Sequence, residues 1–89
     1  MRFSWTSGKA ARNRLKHGVD FADAALALDD AVALTIRDPD SDSEERFITL
    51  GTDPFCRLLA VAFTWREERI RIISARQATR RERRSYEEL

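Results

Sequence analysis

The sequence predicts one small α+β domain: two helices first, an antiparallel sheet next and a third helix last. Three observations carry that reading. Apolar residues recur at helical spacing before residue 29, four short alternating runs fill residues 32 to 74, and Thr79 with Glu82 has the spacing of a capping box. At 89 residues, 43% hydrophobic and 35% charged, the chain has material for a single core, and residues 1–89 are taken as one domain.

Arg2 to Trp5 alternates polar and apolar, which suits a short opening strand. Ser7 is a suitable helix cap and Gly18 a suitable stop. At about 100° per residue, Ala11 and Leu15 share one face of that helix. Lys9, Asn13 and Lys16 share the opposite face, with His17 at its edge, so the helix is expected to show water a basic stripe. Asp20 caps a second helix over 21–28, where Phe21, Ala24, Ala25 and Leu28 follow the i, i+3, i+4, i+7 pattern. Four strands are expected at 32–37, 46–51, 57–64 and 69–74, separated by short turn-rich connections that favour a four-stranded antiparallel meander. In the last strand Ile70 and Ile72 face one way and Arg69 and Arg71 the other, giving a core face and a basic face. Arg80, Arg81, Arg83 and Arg84 crowd the first half of the final helix, which opposes the helix dipole unless an anion lies nearby. Tyr86 is expected to pack toward Arg83 or onto the sheet.

The net charge of +1 hides a strong asymmetry. Residues 1–19 carry five bases and no acid, residues 20–45 nine acids against Arg37 alone, and residues 46–89 ten arginines against six acids. Fourteen of the sixteen bases are arginine, whose planar fork suits phosphate, carboxylate and base stacking. Such a chain is built for an anionic partner, either a nucleic acid or another protein's carboxylates. The single Cys56 cannot form an internal disulfide, which suits a reducing compartment. With one cysteine and one histidine, a Cys/His structural zinc site within the chain is excluded. No run approaches the roughly 20 apolar residues of a membrane span, so a cytoplasmic protein without a membrane partner is expected.

Several residues have the chemistry of a phosphodiester site. Lys9, Asn13 and Lys16 could hold a backbone phosphate, and His17 could transfer a proton near neutral pH. The Glu44-Glu45-Arg46 cluster at a strand entrance could pair a general base with a phosphate clamp. Arg69, Arg71 and Arg76 form a group able to stabilise the extra charge of a pentacoordinate phosphorane. Trp65 could stack on a base. Each also has a plain structural reading as a solvated face, a surface ion pair or core.

The chain further resembles a known family. Phe3-x-Trp5, then Lys9, Asn13 and Lys16-His17-Gly18-Val19-x-Phe21, then Glu45-Arg46-Phe47-Ile48 with Gly51, and finally Arg71-Ile72-Ile73-Ser74-Ala75-Arg76-x-Ala78-Thr79 with Glu82-Arg83 and Tyr86, are similar to the BrnT toxins of bacterial type II toxin–antitoxin systems. The resemblance implies a RelE-like fold and a metal-independent, cofactor-free endoribonuclease that inhibits translation. It also implies a neighbouring BrnA-like antitoxin with a ribbon-helix-helix DNA-binding part, operator DNA being reached only through that antitoxin. The catalytic group would be His17, Glu45, Arg46, Arg71 and Arg76. RNA would be held by Lys9, Asn13, Lys16, Trp65, Arg66 and Arg69. The alternative from a different class is a non-catalytic protein- or nucleic-acid-binding module, an inactive toxin homologue acting with its antitoxin in operon repression. The family commonly places Asp directly after the tryptophan; this chain has Thr6, which can cap a helix or accept a hydrogen bond but cannot act as a base.

Overall fold

The computed structural model describes residues 2–40 and 44–88. Part of the expected Asp38 to Ser43 breaker, residues 41–43, therefore lies outside the described residues. The elements run β1 (Arg2–Ser4), α1 (Ser7–His17), α2 (Phe21–Ala27), β2 (Leu34–Arg37), β3 (Phe47–Thr52), β4 (Leu58–Arg66), β5 (Arg69–Gln77) and α3 (Arg80–Glu87). No described helix is long and apolar enough to cross a membrane.

The sheet departs from the expected four antiparallel strands: it has five, in the order β1-β5-β4-β3-β2. The opening strand is part of it, with Arg2, Phe3 and Ser4 running parallel to Arg69, Ile70 and Arg71. A parallel pair needs a long crossover, and α1 through β4 supply it. The other three pairs are antiparallel, as the short connections require. β4 reaches further than predicted, to Arg66, because the turn to β5 is only Glu67-Glu68, both at positive φ (50° and 69°), and β5 runs on to Gln77 opposite Leu59 of β4.

The sheet's two faces hold separate apolar clusters. On one, Val19, Phe21, Ala24 and Ala27 of the helical layer pack on Leu59, Val61, Phe63, Ile70, Ile72 and Ala75. On the other, Leu50, Leu58 and Ala60 are covered by Ala78 and Tyr86. Gly51 allows α2 to sit this close, since a Cβ there would overlap the Ala27 carbonyl. Asp53, itself buried, ties the β3–β4 turn through Arg57 (2.8 Å), which also reaches Asp23 (3.5 Å) and the Gly18 carbonyl (3.3 Å).

Helix α1 is rotated relative to expectation. Leu15 is 89% exposed, whereas Asn13 is buried. The Asn13 Nδ2 donates to Ala75 O (2.8 Å) and Val19 O (3.0 Å), and its Oδ1 accepts from Ala75 N–H (3.0 Å). Its amide thus stands in for a neighbouring strand where β1 has ended, satisfying backbone groups that would otherwise be orphaned. Thr6, not Ser7, is the N-cap, accepting from the Lys9 N–H (3.3 Å). Thr6 therefore performs the helix-capping part of what an aspartate would do there. Gly18 ends the helix at φ 69° as expected.

The C-terminal capping box forms: Glu82 N–H donates to the Thr79 hydroxyl (3.1 Å) and Thr79 N–H to Glu82 (2.8 Å). Tyr86 packs onto the sheet side, its hydroxyl donating to Asp30 (2.5 Å) near Thr52 (3.3 Å). That bond holds the Asp30 carboxyl below its usual range and pushes the Tyr86 phenol up.

Candidate nucleic-acid interface

Helix α3 covers only half of its sheet face, and the open half is cationic. Even-numbered residues of β3 and β4 point to this face, so Arg46, just before β3, and Thr64 and Arg66 of β4 lie on it together. β5 reaches the same face through a bulge. Phe63 pairs with Ile72 but Ala62 with Ser74, so Ile73 is the extra residue. Simple alternation would separate Arg71 from Arg76 by face; the bulge puts both on this one.

A cleft of about 270 Å³ results, lined by Lys9 from α1, Glu44, Arg46, Thr64, Arg66, Arg71 and Ile73. Next to it, sharing Lys9 and Ile73, a second cleft of about 330 Å³ is lined by Arg12, Lys16, His17 and Ser74. A third, about 380 Å³, shares Glu44, Arg66 and Arg71 and extends to Ser4, Trp65, Arg69 and a second carboxylate, Glu67. Together they form one track of cations around the β4–β5 end of the sheet.

Within this track the cations differ in freedom. Arg66 is paired with Glu44 (3.2 Å), and Arg46 is held by Asp38 (3.6 Å) and the Asp40 carbonyl (3.4 Å). Lys9, Lys16 and Arg71 make no side-chain ion pair or hydrogen bond among the described residues, so their charge is open to a ligand. The Thr64 hydroxyl donates to the Glu45 carbonyl (2.6 Å) and fixes the entry to β3 from beneath.

Most of the expected residues meet here, and three do not. Lys9, Lys16, His17, Arg46, Arg66, Arg69, Arg71 and Trp65 all line the track. Asn13 borders it, but both ends of its amide are committed to backbone, so it cannot grip a phosphate. Glu45 turns away to pair with Arg37 (2.9 Å), leaving Glu44 as the carboxylate in the cleft. Strand alternation explains the swap: neighbours in an extended segment point oppositely, and Glu44 shares the parity of Arg46. Arg76 is consumed by a two-pronged pair with Glu82 (2.7 and 3.0 Å) that clasps α3 to β5. The pair keeps Glu82 ionised far into acid, its carboxyl lowered to about 2, and raises Arg76 in turn. The sequence already held a sign of this, because the capping-box spacing places Glu82 on α3's first turn, close to where β5 ends.

A comparison with curated sequences gives no match. The solved 1.1 Å crystal structure of the Brucella abortus ribonuclease toxin BrnT is similar at a TM-score of 0.68 and 28% identity, over 90% of this chain and 99% of that one. Residues 5–82 match the family described as the ribonuclease toxin, BrnT, of type II toxin–antitoxin systems. That span takes in α1 with its basic residues, the whole β2–β5 sheet and the Arg76–Glu82 clasp, and the chain belongs to the BrnT family of ribonuclease toxins.

Proposed function

We propose that this toxin is an endoribonuclease that cuts RNA without a metal ion, and that it does so in the cytoplasm, inhibiting translation until an antitoxin covers it. The observation that carries the reading is the cleft in which Lys9, Arg46, Arg66 and Arg71 converge around one carboxylate, Glu44. Cations gathered from four separate segments, with Lys9 and Arg71 left unpaired among the described residues, suit a phosphodiester whose charge grows in the transition state.

The substrate's own 2′-hydroxyl attacks the adjacent phosphorus. An O2′–P bond forms, the P–O5′ bond breaks, and the products carry a 2′,3′-cyclic phosphate and a 5′-hydroxyl. The 2′-hydroxyl proton passes to Glu44, which the phosphate frees by taking its place on Arg66. His17, in the adjoining cleft, supplies the proton to the departing O5′. Arg46 and Arg71 stabilise the phosphorane, while Lys9, Lys16, Arg69 and the half-exposed Trp65 hold the flanking nucleotides.

The test is incubation of antitoxin-free protein with end-labelled RNA in EDTA, beside the single variants His17→Ala and Arg71→Ala. Cleavage by the wild type with at least about tenfold loss in each variant is expected from ordinary acid–base and electrostatic contributions. Intact RNA with the wild type would overturn the reading in favour of a non-catalytic binding protein, and cleavage at the wild-type rate by both variants would overturn the assignment of the site.

A further inference from the structure

At the side of the sheet away from β1, the last strand is β2, whose outer edge has no neighbour among the described residues. The opposite edge is managed, since β1 is three residues long and Asn13 seals β5 beyond it. β2 has no such cover. Asp38 N–H donates to the Arg46 carbonyl (2.8 Å), which makes the even-numbered residues the hydrogen-bonded pairs with β3. The N–H and C=O groups of Thr35 and Arg37 therefore point outward, an open ladder for one more strand.

This edge is apolar on the α3 side. Leu34 and Ile36 of β2 continue Ile48 and Leu50 of β3 into a groove of about 210 Å³, walled by Arg81, Glu82 and Ser85 of α3. Ile36 is 55% exposed in a strand that carries one charged residue, Arg37, at its end. Arg81 of that wall makes no ion pair among the described residues, nor do Arg80, Arg83 and Arg84 of the same helix. Arg80 and Arg81 stand at the helix N-terminus, where the dipole disfavours a cation, whereas Arg84 lies in the last turn.

We propose that an extended segment of the antitoxin adds to β2 as a sixth strand, seating alternate apolar side chains over Leu34, Ile36, Ile48 and Leu50 and carboxylates against Arg81 and its neighbours. The proposal rests on the family's antitoxin partner, not on the ribonuclease chemistry. Main-chain bonding supplies affinity in such strand addition, and the side-chain pattern supplies selectivity. Charge decides between an antitoxin and a second copy of the chain. Antiparallel self-pairing through β2 keeps both copies of α3 on one face of the joined sheet, bringing two arginine-rich helices to the same side, whereas an acidic segment neutralises them.

Hydrogen exchange of the toxin, alone and co-purified with its cognate antitoxin, tests this directly. In the complex, the Thr35 and Arg37 amides are expected to slow by at least about tenfold, while Leu34 and Ile36, already bonded to β3, change little. Ile36→Asp, at a half-exposed position, is expected to weaken antitoxin binding at least about tenfold and leave RNA cleavage by the free protein unchanged. Unaltered exchange at Thr35 and Arg37 in the complex would overturn the proposal. So would full affinity in the variant, or β2 protection that rises with the free protein's own concentration, which would assign the edge to a second copy. Protection of β2 in a complex whose free toxin leaves RNA intact would uphold the docking surface while refuting the ribonuclease reading.

Discussion

Replacing Asn13 by Ala separates a structural role from an RNA-binding one. The substitution removes three hydrogen bonds, to Val19 O, Ala75 O and Ala75 N–H, all on backbone groups the sheet does not otherwise satisfy. Each such bond contributes about 1 kcal/mol net, and leaving partners buried and unpaired adds to the cost, so about 3 kcal/mol is expected. A domain of this size has a total stability on the order of 10 kcal/mol or less, so the effect is a large share of it. Urea unfolding followed by fluorescence of Trp5 and Trp65 should show a midpoint lower by about 2 M at an unchanged slope. Asn13→Asp is nearly isosteric and still accepts from Ala75 N–H, yet it aims a carboxylate at two carbonyls, so it should be no better at neutral pH. A wild-type midpoint in Asn13→Ala would refute the reasoning. Lost RNA binding at unchanged stability would return Asn13 to the ligand-facing side of α1.

Glu82→Gln should lower stability by about 1–2 kcal/mol, less than the full pKa shift implies because Arg76 is partly solvated. Since the folded carboxyl is lowered to about 2, the clasp contributes fully above about pH 4.5 and fades as pH falls toward 2; melting curves of the two proteins should converge there. Gly51→Ala pushes a methyl into the Ala27 carbonyl, a backbone atom that cannot step aside, and is expected to cost about 2 kcal/mol, read as a melting temperature about 10 °C lower. Glu44→Gln should reduce RNA cleavage at least about tenfold while Glu45→Gln leaves it within about twofold, which an assay on end-labelled RNA resolves.

Local patterns made much of this legible. The capping box of α3, the αL glycine ending α1 and the alternation of Ile70 and Ile72 against Arg69 and Arg71 depend only on near neighbours, so the sequence displays them. Asn13 did not follow from pattern because its partner Ala75 is 62 residues away, and a polar residue reads as solvent-facing unless that partner is known. The same limit hid the parallel β1–β5 pair, which no local rule distinguishes from a free strand. The bulge at Ile73 reset which arginines share a face, and with it the fate of Arg76. The choice of Glu44 over Glu45 was recoverable in principle, since counting outward from Phe47 by twos puts Glu45 on the opposite side from Arg46.

The end of the β4–β5 hairpin is where the chain breaks its own local rules, and that bears on where the site lies. Arg66 and Arg69 stand directly opposite each other, a like-charge pairing that destabilises a sheet. The turn joining them uses two glutamates at positive φ, where glycine or asparagine costs less. Elsewhere single residues resolve comparable problems: Asn13 seals an edge, Asp53 satisfies a turn, and Glu82 serves as both cap and clasp. Packing does not require Arg66, Arg69 or Arg71, since all three lie outside the buried core. A phosphodiester passing from Lys9 to Trp65 would neutralise these charges together, which makes the unfavourable spacing of cations an advantage once RNA is bound.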